Sequence, residues 1–155
     1  MKRHPALQDL SREHHDALKL ARHGKLAALS GDAATVAAFG AHVARQFDNE
    51  MEAHFREEEV ELLPFLGAAG EHELVGRTLA EHGELRALAA ALRQPDAATL
   101  LRFSDLLAAH VRFEERTLFE AAQARGFAPS AGISGGAAPS RATAPPPAAP
   151  APRPR

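Results

Sequence analysis

The chain contains no cysteine, tyrosine or tryptophan among its 155 residues. Without cysteine it cannot form a disulfide, use a thiolate as a nucleophile, or supply thiolate ligands to zinc or an iron–sulfur cluster. Because tyrosine and tryptophan are also missing, any redox chemistry must come from a bound cofactor.

A strong excess of charge is also missing, since the formal net charge at pH 7 is -2. A basic surface for nucleic acid or for anionic lipid is therefore not expected. The sequence has no run of about 18 apolar residues, and its basic N-terminus lacks the apolar segment of a signal peptide. These absences predict a cytoplasmic protein that binds neither nucleic acid nor a membrane.

Strand-like alternation is absent from residues 1–127, where Ala, Leu, Glu and Arg dominate. Caps and helix-breaking residues divide this domain into four predicted helices: from about Leu7 or Ser11 to Leu29, from an Asp32 N-cap to Pro64, from about Glu71 to Arg93, and from an Asp96 N-cap to Gly126. Short connections between long helices favour antiparallel neighbours. The predicted fold is all-α, an up-down-up-down antiparallel four-helix bundle.

The composition changes after residue 127. Residues 128–155 are rich in Pro, Ala, Gly and Ser and contain a single large aliphatic residue, Ile133. Such a segment cannot bury enough apolar surface to offset the entropy of ordering it. Residues 128–155 are therefore predicted to be a disordered tail.

Two predicted helices carry a histidine and a glutamate within an otherwise apolar stripe. In the second helix the pair is His54 and Glu58; in the fourth it is His110 and Glu114, followed in the predicted stripe by Thr117 and Ala121. Burying an unpaired carboxylate costs several kcal/mol. Two inward pairs at the same i, i+4 spacing therefore require a shared partner.

The other two helices supply matching imidazoles. His82 lies in the apolar stripe of the third helix, and His14 lies in that of the first, with the adjacent His15 as an alternative. The chain is also an internal repeat, because residues 13–18 resemble residues 81–86 and residues 54–63 resemble residues 110–119. Each half has one helix with a histidine and one with H-x-x-x-E.

Four imidazoles and two carboxylates in a bundle core predict a dinuclear metal site, because inward carboxylates can bridge two cations that neutralise them. The Glu-x-x-His spacing of ferritin-like carboxylate sites and the H-E-x-x-H spacing of zinc peptidases are both absent. A single tetrahedral zinc would leave two of the six groups unused.

These motifs resemble the hemerythrin-like, or HHE, cation-binding domain, a four-helix bundle with a non-haem di-iron centre. The resemblance covers about residues 6–126 and is nearest to bacterial and regulatory members. It implies two iron ions, with manganese or a mixed pair as alternatives, bridged also by oxide, hydroxide or water. The implied ligands are four terminal histidines and two bridging glutamates: His14, His54, His82, His110, Glu58 and Glu114.

Arg86 marks a departure from the oxygen-carrying hemerythrins, which have a second histidine at that position of the third helix. Here both residues 114 and 115 are glutamates, whereas the carriers end this motif with aspartate. Six ligands leave about four positions open on two octahedral irons. Arg86 itself is expected to turn outward or to pair with a carboxylate near the site.

Further residues are weaker candidates. Glu50 and Glu115 are positioned to orient a ligand imidazole from outside the site, and His15 could replace His14. Three other glutamates are interpreted as solvated: Glu57, Glu59 and Glu61.

Three functions fit these residues. The first is a di-iron protein that binds or senses dioxygen, nitric oxide or iron. The second is a di-iron oxidase or peroxidase that activates dioxygen or peroxide, and the third is a metal-free interaction scaffold. If metal is absent, Glu58 and Glu114 repel each other, so that one or both are expected to protonate.

Overall fold

The computed structural model describes residues 3–128, and within them the fold is an all-α four-helix bundle without strands. Helix α1 spans Pro5–Ala28, α2 spans residues 33–68, α3 spans His72–Ala91, and α4 spans residues 97–124. The fold class is as predicted. Beyond residue 128, the predicted tail lies outside the described part of the chain.

Two apolar clusters fill the bundle, one on each side of its middle. On α1, Leu10 belongs to the first cluster and Ala21 to the second, with His14 between them. On α2 the order is reversed, because Val43 packs in the second cluster and Leu62 in the first. Consecutive helices therefore run antiparallel, and the polar residues of the predicted site lie between two apolar layers.

The helix starts follow the predicted caps. The carboxylate of Asp32 accepts the Thr35 N–H at 3.1 Å, and that of Asp96 accepts the Thr99 N–H at 2.9 Å. Each cap satisfies a backbone donor that the first turn leaves free. At the first helix, Pro5 occupies the first helical position, so α1 begins earlier than the predicted Leu7 or Ser11.

The predicted end of the second helix at Pro64 is wrong. The chain continues as an α-helical segment, Leu63–Ala68, in which Pro64 lies in the first turn, where a missing N–H costs little. Gly70 ends the helix instead, with a φ of 89° and with the next N–H, that of Glu71, donating to Leu66 O at 2.9 Å.

Three π-helical turns interrupt the α-helical segments in the described residues. They are Phe47–Met51 and Glu58–Leu62 in α2 and Glu114–Leu118 in α4. Two of them begin at the inward glutamates, whose carbonyls each accept an N–H from five residues later. Single π turns in α-helices occur frequently at functional sites.

The apolar stripe predicted after Glu114 is wrong because of the π turn in α4. Thr117 is exposed and Ala121 is only partly buried, whereas Leu118 and Ala122 are fully buried. A π turn inserts one residue into the helical repeat, so every later inward position moves one place along the sequence.

None of the helices in residues 3–128 combines the length and the apolar character that crossing a bilayer requires. The cytoplasmic location stays a prediction.

Candidate metal centre

The six predicted ligand residues all lie in the middle of the bundle. Helices α1 and α3 each contribute one histidine, and α2 and α4 each contribute one histidine and one glutamate. All six are buried: His14, His54, Glu58, His82, His110 and Glu114. His15 is exposed and His14 is buried, so His14 is the inward histidine of α1.

The six side chains form two overlapping groups of four. One group contains His14 and His54, the other contains His82 and His110, and both contain Glu58 and Glu114. Within each group the ligand atoms lie within 4.8 Å of one another. Each group could hold a metal ion, and the two groups share both carboxylates.

Each histidine directs Nε2 at the shared carboxylates. The distance from His110 Nε2 to Glu114 Oε1 is 3.0 Å, and that from His14 Nε2 to Glu114 Oε2 is also 3.0 Å. Glu58 lies 3.3 Å from the Nε2 atoms of His54 and His82, through Oε1 and Oε2 respectively. The two oxygens of each glutamate therefore face different imidazoles.

Six atoms of this cluster are buried without a hydrogen-bond partner. They are both carboxylate oxygens of Glu58, both of Glu114, and Nε2 of His82 and His110. Some of them lie at ion-pair distance, but their angles are not those of hydrogen bonds. Buried polar atoms are normally satisfied, and two cations among these lone pairs would satisfy them together. The donor set therefore fits a pair of metal ions.

A second ring of carboxylates holds the far side of each imidazole. The Nδ1 atom of His14 lies 2.8 Å from Glu115, that of His54 lies against Glu13, and that of His82 lies 2.8 Å from Glu59. Glu81 completes the ring, 2.7 Å from His110 Nδ1. A carboxylate at Nδ1 fixes the tautomer, because it accepts the Nδ1 proton and leaves Nε2 as the ligand atom.

Sequence reasoning found only Glu115 of this ring, and the structure places its carboxylate at His14 Nδ1, where an orienting acceptor was expected. Glu59 was interpreted as solvated, which is wrong. Glu13 and Glu81 were missed, although each directly precedes a ligand histidine, and Glu59 and Glu115 each directly follow a ligand glutamate. The signal is therefore a repeated E-H and H-x-x-x-E-E pattern. Glu50, the other predicted acceptor, is exposed and is not part of the ring.

Aromatic rings separate the site from the rest of the core. Phe55 stacks on His82 with ring centroids 3.8 Å apart, and Phe119 stacks on His14 at 5.1 Å. Both phenylalanines are buried within the apolar clusters. They fix the planes of two imidazoles and exclude water from that side of the site.

The comparison with protein families agrees with this geometry. The family model described as the hemerythrin HHE cation binding domain matches residues 5–122. The chain belongs to the hemerythrin HHE family. The predicted resemblance is thereby confirmed, and no curated protein and no solved structure gave a significant match.

Without metal, the imidazoles of this hemerythrin HHE domain take up protons. Burial alone would lower the pKa of His54, but the charge of Glu58 and the hydrogen bond with Glu13 raise it to about 10. Burial likewise opposes the contacts with Glu114 and Glu81 that raise the pKa of His110 to about 9. In the metal-free site, the positive charge beside the two glutamates therefore comes from protonated imidazoles.

Of the two inward glutamates, of which one or both were expected to protonate without metal, Glu114 stays ionised. Burial would raise its pKa, but the imidazoles of His110, His14 and His82, which lie at ion-pair distance from its oxygens, hold the pKa well below its ordinary value. The histidines around this carboxylate supply the opposite charge that keeps it ionised.

Arg86 pairs with carboxylates on the outside of the hemerythrin HHE site. Of the two predicted alternatives, turning outward or pairing with a carboxylate, this is the second. Its guanidinium donates to Glu52 Oε2 at 2.8 Å and to Glu59 Oε1 at 2.8 Å. The same Glu59 oxygen lies 2.8 Å from His82 Nδ1. Arg86 thus fixes the carboxylate that orients a ligand histidine, and it does not enter the site.

Proposed function

We propose that the chain is a non-haem di-iron protein that binds or senses dioxygen, nitric oxide or iron through a carboxylate-bridged dinuclear site. The observation that carries the proposal is the sharing of Glu58 and Glu114 between two buried groups of four ligands. A single cation would leave part of this donor set unsatisfied.

The choice of iron rests on the chemistry of the donors. Imidazole nitrogens suit iron, and carboxylate oxygens suit iron and manganese, whereas soft thiolate ligands are excluded because the chain has no cysteine. Four imidazoles and two carboxylates form about eight metal–ligand bonds, which leaves about four positions of two octahedra for exogenous ligands. A diatomic molecule or peroxide is the proposed small-molecule partner.

When bound, iron would supply the open coordination positions and the electrons that binding of dioxygen or nitric oxide requires. The chain's own residues prepare this chemistry. The outer carboxylates hold the histidines in the ligating tautomer, and Phe55 and Phe119 exclude water from two sides. Arg86 pairs with Glu52 and Glu59 outside the site and adds no ligand, so the open positions are kept.

A di-iron oxidase or peroxidase is the second candidate. It is favoured by a cavity of about 680 Å³ whose lining includes His14, His54 and His110. Such a cavity would allow a reactant to reach the site. A metal-free scaffold is disfavoured, because it would bury two carboxylates and four imidazoles at a free-energy cost that scaffolding does not require.

Anaerobic loading with ferrous iron, followed by metal analysis and absorption spectra in air and with nitric oxide, tests the proposal. We expect bound iron and a visible absorption band that changes with each gas. Glu58→Gln is the site variant and Glu73→Gln, at an exposed position of α3 outside the cavity lining, is its matched control. Many turnovers of peroxide per protein would favour the enzyme, and protein that takes up no iron would contradict both proposals.

A further inference from the structure

A cavity of about 680 Å³ opens between α1 and the first half of α2 and extends inward to α4. Its inner end is formed partly by His14, His54 and His110. Small-molecule binding sites typically have volumes of roughly 300–1,000 Å³. The cavity is therefore far larger than a diatomic ligand requires.

The two halves of the repeat differ at an apolar position that borders the cavity. Leu85, three residues after His82, is fully buried, whereas the residue three after His14 is Ala17, which lines the cavity and is only partly buried. Alanine lacks the isobutyl group that fills this level of the bundle in the second half. The space is left open beside the site.

A π turn at the same level also distinguishes the first half. The turn Phe47–Met51 begins seven residues before His54, and it contributes Asn49, Glu50 and Met51 to the lining. In the second half the corresponding residues, 103–107, lie within the regular α-helical segment Ala97–Phe113. The extra π turn therefore occurs on the helix that borders the cavity.

The lining is apolar inside and polar at the mouth. Its inner surface is aliphatic and aromatic and includes Leu20, Phe39, Met51, Phe55, Leu107 and Val111. Polar residues such as Lys19, His42 and Gln46 lie on the α1 and α2 borders. Many polar side chains border the cavity, but an apolar inner wall of this kind is typical of sites for small organic molecules.

We propose that this cavity binds a small apolar organic molecule, with an aromatic or alkyl body that lies against the His14 and His54 side of the site. Transfer of such a body from water to the apolar walls supplies the binding free energy. The role of this molecule as a substrate or effector of the metal centre rests on the proposed function. The proposal that the molecule binds in the cavity does not rest on that function.

Fluorescence titration with the neutral dye N-phenyl-1-naphthylamine tests the proposal. The chain has no tryptophan or tyrosine, so the dye can be excited without competing protein emission. We expect saturable binding with a blue-shifted, brighter emission in both the metal-free and the iron-loaded protein. Saturable binding that also changes the absorption of the loaded iron would place the dye beside the metals.

Ala17→Leu is the decisive variant, because it introduces into the first half the side chain that the second half has at Leu85. We expect the dye to bind at least about tenfold more weakly, since leucine occupies the volume the dye needs. Ala38→Leu, at an exposed position of α2 outside the lining, is the matched control and should bind like the parent.

Ala53→Leu provides a second test if Ala17→Leu fails to fold, because Ala53 lines the cavity at an exposed position. Absence of dye binding, or binding unchanged in every folded cavity variant, would overturn the proposal. Iron content is measured on the same samples. Weaker dye binding in metal-free Ala17→Leu supports the cavity even if no iron binds, so the two proposals fail separately.

Discussion

At the scale of single residues, each ligand imidazole contacts carboxylates at both ring nitrogens. His110 shows the arrangement, with Glu114 at Nε2 and Glu81 at Nδ1. The inner carboxylate is shared with other imidazoles, whereas the outer one has a partly exposed side chain that contacts Arg77. The outer carboxylates therefore connect the buried site to ion pairs on the surface.

We expect Glu81→Gln to weaken metal binding by about 10- to 100-fold, the usual effect of removing an outer partner of a ligand histidine. The amide cannot compensate the charge of the imidazole, and it can present an N–H where a proton acceptor is needed. Competition with a chromophoric chelator measures the affinity. Glu84→Gln is the control, because Glu84 pairs with Arg102 on the exposed side of α3.

If Glu81→Gln and Glu84→Gln bind metal equally well, the outer carboxylate has no role in ligation.

Proton release on metal loading follows from the raised histidine pKa values. In the metal-free protein His54 has a pKa of about 10 and His110 of about 9, so both bind a proton at pH 7.5. A metal ion displaces these protons from Nε2, so affinity should fall as the pH falls below about 10 and more steeply below about 9. Calorimetry in buffers of different ionisation enthalpy should give at least two protons released per loaded chain. Release of none would contradict these protonation states.

The inner residues were predictable from sequence, whereas most of the outer ones were not. A buried glutamate such as Glu58 interrupts an apolar stripe, so helical periodicity alone identifies it. Glu13 has a 57 % exposed side chain and lies beside the stripe, where a glutamate normally only meets solvent. Only the position of its carboxylate over His54, on another helix, distinguishes it from an ordinary surface residue.

At the scale of the elements, the helix starts were predictable because the N-caps Asp32 and Asp96 are local signals. The π turns were not predictable, since no particular residue type marks them in a sequence. Their effect is nevertheless large, as the burial of Leu118 in place of Thr117 shows. Pro64 misled the prediction because proline is compatible with the first turn of an α-helical segment that follows a π turn.

The start of α2 packs closely on the connection before α4. A Cβ atom on Gly40 would lie 2.5 Å from Pro95 Cβ, which is shorter than van der Waals contact allows. We expect Gly40→Ala to destabilise the protein by about 1–3 kcal/mol, despite the better helix propensity of alanine. Urea unfolding measures the change.

Gly76→Ala is the matched control, because Gly76 is helical and a Cβ there meets no atom within 4 Å. It should leave the stability unchanged or raise it by up to about 1 kcal/mol. Equal stability of Gly40→Ala and Gly76→Ala would contradict the close approach.

At the scale of the whole molecule, the site connects all four helices at the boundary of the two apolar clusters. Metal bound there stabilises only the folded chain, because unfolding separates ligands that come from distant parts of the sequence. At a free-metal concentration 100 times Kd, this linkage contributes about 2.7 kcal/mol.

Removal of metal by a chelator should therefore lower the melting temperature by on the order of 10 °C in a domain of this length. Differential scanning calorimetry of loaded and metal-free protein measures the difference, and metal analysis verifies removal. An unchanged melting temperature would indicate that the buried groups are satisfied without metal.

An anomalous difference map from crystals of the metal-loaded protein, recorded at the metal's absorption edge, tests most directly whether two metal ions share Glu58 and Glu114. We predict two peaks per chain, one beside His14 and His54 and one beside His82 and His110, with both glutamates in contact with both peaks. A single peak, or peaks outside this cluster, would contradict a carboxylate-bridged dinuclear site.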